Sequence, residues 1–155
     1  MRWIIDIHSR KPYPANVLSN FYPHHFRLDG VEIHSMEGFL QSLKCCDDPQ
    51  QQERICMLEG KEAKEAGSVY LWQQDGMLCW QGQTFSRYGQ EYQTLLRRAY
   101  GQLCQVPDFA CALRDSGCSM LWHAIGKWRR KDTCLTIWEF LSLLYWCRRC
   151  VRRGV

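Results

Sequence analysis

FRLDGVEIHSMEGFLQSLK, residues 26–44, changes its period half-way, and that change decides the fold. Phe26 and Leu28 alternate with polar neighbours up to Asp29-Gly30, and Val31 and Ile33 resume the alternation. Asp-Gly between alternating runs predicts a hairpin, because both central positions of its tight turn need positive φ. From Ser35, a residue suited to cap a helix, the spacing stretches, and Met36, Phe39, Leu40 and Leu43 form one apolar face. Glu37, Gln41 and Lys44 form a second stripe, since residues three and four apart stack on a helix. Two turns separate its ends by ~10 Å, close enough for both long side chains to converge on one small molecule. Helix electrostatics alone also accounts for the two charges. An acid near the first turn and a cation near the last are both favoured, and the dipole would lower the Glu37 pKa.

Around this segment the chain reads as one mostly helical domain over residues 1–155, with a small hairpin near its start. Trp3 to Ile7 suggests a short strand, followed by a loop marked by Pro12 and Pro14. Gln50 to Ala66 is helix-prone, with Gly60 as an interruption and Gly67 as a stop. Tyr70 to Phe85 reads as irregular. Arg87 to Cys104 reads as the longest helix, and Asp108 to Arg114 and Ser119 to Ile125 as short helical pieces. Thr136-Ile137-Trp138-Glu139 has the form of a capping box, opening a last helix through Trp146.

The composition bounds the function. With 155 residues, 46% of them hydrophobic, the chain suffices for one cored domain and not for two. A net charge of +4 leaves the body near neutral once Arg148, Arg149, Arg152 and Arg153 are set aside, so residues 147–155 read as a basic, solvated tail. No window reaches the ~20 apolar residues of a membrane span. Met1 to Asp6 is too short an apolar run for a secretory leader. The ten scattered cysteines therefore predict reduced thiols in a cytoplasmic protein. Cys147 and Cys150 make the one CxxC, with no partner pair at zinc spacing, and neither Cys45-Cys46 nor His24-His25 completes one. No metal site and no cofactor are expected.

The order LSNFYP, Asp-Gly hairpin, SMEGFLQSLK resembles the opening of the NADAR family, the NAD- and ADP-ribose-associated domains that include the YbiA-like N-glycosidases. The resemblance rests on Asn20-Phe21, Asp29-Gly30 and the helix pattern Glu37, Gln41, Lys44. It continues through AKEAG at 63–67 and CWQGQTFSRYGQEYQTLLRRAY at 79–100. It implies a hydrolase that cleaves the bond between a ribose, ADP-ribosyl or ribosyl-phosphate, and a nitrogenous base. Reported family substrates include riboflavin-pathway intermediates and ADP-ribose on guanine in nucleic acid. By the same resemblance Lys44 is the nucleophile, forming a Schiff base at the anomeric carbon, and Glu37 its acid/base partner. A lysine attacks only as the neutral amine, which needs desolvation or a neighbouring cation.

The remaining polar positions form the expected binding set. Gln41 suits a ribose hydroxyl, Asn20 a hydroxyl or a phosphate, and Phe21 offers a face for a base, while spacing alone also reads Asn20 as a turn residue and Phe21 as a core residue. Arg87 is expected at the start of a helix, able to pair with a phosphate or with Glu37. The segment LWHAIGKWRRKDTCLT at 121–136 departs from the family, with Thr133 near where an Asn is usual and no Trp-Gly pair. His123, Lys127 and Asp132 are its candidates for lining the site, and its basic run suits phosphates. The alternative to the hydrolase is a catalytically silent module that binds ADP-ribose or NAD. A structural or nucleic-acid-binding role through the tail is a third.

Overall fold

The computed structural model describes residues 3–154. Six helices, α1 (Met36–Ser42), α2 (Pro49–Cys56), α3 (Gly60–Gly67), α4 (Gln90–Leu103), α5 (Pro107–Asp115) and α6 (Ile137–Arg153), carry most of the described residues that have regular structure. Three two-stranded sheets join them: β1 (Ile4–Asp6) parallel to β6 (Met120–Trp122), and the antiparallel hairpins β2 (Phe26–Leu28) with β3 (Val31–Ile33) and β4 (Met77–Trp80) with β5 (Gln83–Ser86). The fold is thus mainly α with small sheets, as the period analysis predicts. No described helix is long and apolar enough to cross a membrane.

The predicted hairpin forms on Asp29-Gly30, at φ +50° and +80°. Asp29 does more than turn the chain: Arg98 grips its carboxylate with two bonds of 2.6 and 3.0 Å, and Trp80 Nε1 donates to it at 2.8 Å. Arg98 and, secondarily, Trp80 hold the Asp29 carboxyl below the usual range. Ser35 caps α1 as expected, its hydroxyl accepting from Gly38 N–H at 2.9 Å and donating to Leu58 O at 2.7 Å. The apolar face of α1 is buried, and Met36, Phe39, Leu40 and Leu43 join one core with Tyr92, Tyr100, Phe140 and Leu144. The Thr136/Glu139 capping box is present in full.

Six local expectations are corrected. Residues 77–86 are a hairpin, turning at Gln81-Gly82 with φ +48° and +81°. Gln-Gly satisfies the positive-φ requirement without the usual Asn or Asp, so it gave no signal. Residues 120–122 are a strand, because pairing with β1 through Ile4↔Met120, Ile5↔Leu121 and Asp6↔Trp122 overrides local preference. Gly60 begins a separate helix and interrupts none. α6 continues to Arg153, so most of the supposed tail is helix, and α6 with 17 residues, not α4 with 14, is the longest described helix. Arg148 is buried, donating to Ser116 Oγ and Ser119 O, and Val155 lies outside the described residues. Finally, the thiols are not all free: Cys46 and Cys79 are joined, with Cα atoms 5.6 Å apart.

Candidate active site

The stripe of α1 faces a cavity of about 580 Å³ that Asn20, Phe21, Glu37, Gln41 and Lys44 line from one side. His123, Lys127 and Asp132 close it from the loop after β6. The size suits a small-molecule ligand. Eight of the nine residues proposed from sequence therefore meet around one space.

Each is held in a definite way. Asn20 O accepts from Glu37 N–H at 2.9 Å, so the Asn-Phe loop is attached to the first turn of α1. Asn20 Oδ1 accepts from the Tyr100 hydroxyl at 2.7 Å, which leaves its amide N–H groups for a ligand. Gln41 Nε2 donates to Glu37 Oε1 at 2.7 Å, and Gln41 Oε1 is buried without a partner, against Gly67 of α3. A side chain at Gly67 would collide with that amide. α1 ends at Ser42, so Lys44 stands in the tight turn that follows, its N–H donating to Gln41 O at 3.2 Å.

Burial pushes the Glu37 carboxyl above its ordinary value, against the opposing pull of the Gln41 hydrogen bond and the Lys44 and Lys64 charges. This reverses the expectation from the helix dipole. One short helix offers less to a carboxylate than water does, and the cavity wall excludes most of the water. The Lys44 turn is fixed from behind. Leu43 O accepts from Cys79 N–H at 2.9 Å, and the buried Gln52 amide donates to Ser42 O, Cys45 O and Cys79 O at 3.0, 3.3 and 3.1 Å. The Cys46–Cys79 bond ties the same turn to β4.

On the far wall, His123 Nδ1 lies 2.9 Å from Ile7 O and its ring meets Phe140 edge-on. A carbonyl only accepts, so Nδ1 carries the proton and Nε2 is left to a ligand. Arg129 takes one Asp132 carboxylate oxygen at 2.9 Å, and Lys127 Nζ reaches Asp132 O at 3.4 Å.

Arg87 is the exception. It precedes α4 and does not line the cavity; it is fully buried, forking onto Glu139 at 2.6 and 3.1 Å and donating to Thr133 O at 2.9 Å. Burial alone would raise the Glu139 carboxyl, but Arg87, Gln93 and the Thr136 N–H hold it below the usual range. Arg87 supports the wall, and phosphate has no access to it.

Three contributors carried no signal in the sequence. Lys64, on the exposed side of α3, lines the cavity and lies near Glu37, a second amine beside Lys44. It belongs to AKEAG, whose charge pattern reads as a solvated face. Tyr100 and Gln52 act through side-chain bonds to segments 80 and 7 to 27 residues away, which no periodicity reports. Cys134 also lines the cavity, but burial pushes its thiol up to about 11, so it is no thiolate at neutral pH.

A single mainly α domain of six helices and three small two-stranded sheets defines a class by its fold: the YbiA-like fold. The NMR structure of the Escherichia coli protein YbiA superimposes with a TM-score of 0.64, covering 99% of this chain and 88% of that one at 15% identity. The chain belongs to the family described as bacteriophage protein GP30.3, whose model matches residues 12–149. It is 38% identical, over 143 residues, to an uncharacterized 17.1 kDa protein of enterobacteria phage T4, from the Gp30-rIII intergenic region, covering 90% of this chain and 93% of that protein. The NADAR resemblance of the sequence is therefore met by the fold.

Proposed function

We propose that this protein is an N-glycoside hydrolase acting on an ADP-ribosyl or ribosyl-phosphate group joined to a nitrogenous base, for example ADP-ribose on guanine. The observation that carries the reading is Glu37, a carboxyl biased by burial toward its protonated form, in one cavity with Lys44. A general acid for a departing base needs a raised pKa, and an imine-forming nucleophile needs an amine.

The sequence of bonds balances without a cofactor. The neutral Lys44 amine attacks the anomeric carbon, and the glycosidic C–N bond breaks. The departing base takes its proton from Glu37. The new C–N bond to Lys44 becomes an iminium as the ring C–O bond opens and the ring oxygen takes up the amine proton. Glu37, now a carboxylate, accepts a proton from water as hydroxide adds to the iminium. Loss of the amine then yields the ribose aldehyde, which recloses. Gln41 and Asn20 have amide groups suited to the ribose hydroxyls, and Phe21 a face for the base. Lys127, Lys64 and the exposed Arg10 surround the cavity with charge that suits phosphates, on a free nucleotide or on nucleic acid.

The test is product release. With ADP-ribosylated guanosine as substrate, the wild-type chain should liberate guanosine and ADP-ribose in equal amounts. Lys44→Ala should liberate neither above background. Binding of ADP-ribose without release by the wild-type chain would leave a silent module and refute the hydrolase.

A further inference from the structure

Away from the cavity, the first hairpin brings together three side chains that the reaction does not use. In the register Phe26↔Ile33, the next pair outward is His25 and His34. Their rings stack with centroids 4.2 Å apart and planes 17° from parallel. Glu59 reaches them from the first end of α3, and its Oε1 stands 3.6 Å from His25 Nε2. One donor atom from each of the three lies within 4.8 Å of the other two. The Glu59 carboxylate caps no helix N–H, although Glu59 holds the N-cap position. A further carboxylate, Glu32 Oε1, is 3.9 Å from His34 Nε2.

We infer that His25, His34 and Glu59 form a binding site for a divalent cation of the zinc class. Two imidazoles and one carboxylate are a common donor set for zinc, cobalt and nickel, with the remaining positions taken by water. Bonds of ~2.0–2.2 Å in a tetrahedral shell set ligand atoms roughly 3.3–3.6 Å apart. The His25–Glu59 separation already has that value. The wider separations close by rotation of side chains free to move, since His25 is 59% and Glu59 44% exposed. The backbone frame is fixed: His34 N–H donates to Cys56 O at 2.8 Å, holding the hairpin against the segment that leads into α3. A cation here would link the hairpin to α3. That helix begins at Gly60, where an added Cβ would stand 3.6 Å from the Phe21 ring, and carries Lys64 in the cavity wall, so the site reaches the cavity through one element.

Cobalt titration of the full chain, stripped with chelator, tests this directly. One equivalent of Co²⁺ should give visible d–d bands without the thiolate-to-cobalt charge transfer that any of the cysteines would produce, and should raise the melting temperature. His34→Ala and His25→Ala should each weaken binding by about tenfold or more, the scale of a lost or misdirected metal contact. Cys111→Ser, at an exposed free thiol, should leave it unchanged. Circular dichroism checks that the histidine variants fold, which their partial exposure favours. Absence of stoichiometric binding, thiolate bands, or unchanged affinity in His34→Ala would each overturn the site.

Discussion

Glu37 is held in a state that its position on a helix does not predict. Its folded pKa is raised by burial, so the stability linked to it is full below about 4.5, its ordinary value, and is lost as pH rises through the higher folded value. Glu37→Gln keeps the shape and cannot ionise. Thermal melts should therefore show it more stable than wild type at pH 7, with that acid-side dependence removed. Its turnover should fall by about 100-fold or more, the usual contribution of a general acid, while ADP-ribose still binds. Lower stability with an unchanged rate would return Glu37 to the role of a dipole partner. The stripe itself was readable from spacing, because helical period places Glu37, Gln41 and Lys44 on one side whatever surrounds them. The direction of the pKa shift was not, because it depends on how the 19–21 loop and α3 wall off the carboxyl.

At the scale of elements, two packing features hold α1 and its turn. Gly38 lets α1 approach α2: a Cβ there would stand 2.6 Å from Leu58 O and 2.8 Å from Ile55 O, both backbone. Gly38→Ala should destabilise the chain by ~1–3 kcal/mol, measured by urea unfolding. Gln52 satisfies backbone carbonyls on both sides of the Lys44 turn. Gln52→Leu removes these bonds, leaving Ser42 O only the Cys45 N–H, at a cost of ~1–3 kcal/mol. It should also lower kcat by shifting Lys44, without touching substrate. A variant as stable as wild type and fully active would contradict that positioning. Helices with strong caps, such as α1 and α6, could be read locally. β6 and the Gln81-Gly82 hairpin could not, since one depends on a partner strand more than 110 residues earlier and the other on a turn lacking Asn or Asp.

Across the whole molecule, the cavity is a meeting of distant segments, and buried Arg87 joins two of them by its fork onto Glu139. Arg87→Ala strands that carboxylate and should cost ~3–5 kcal/mol in unfolding free energy, far more than a phosphate contact at a surface would. Because the Glu139 pKa is depressed, this stability is present above its ordinary value and is lost as pH falls through the folded one. The sequence placed Arg87 at the site and did not single out Lys64; tertiary packing takes the first away and brings the second in. That exchange leaves two amines near one acid, so identifying the nucleophile tests the account most directly. Borohydride should trap the chain with ADP-ribosylated guanosine as a covalent adduct that peptide mass mapping assigns to Lys44. The adduct should persist in Lys64→Ala and vanish in Lys44→Ala. An adduct on Lys64, or none formed while guanosine is still released, would contradict the mechanism.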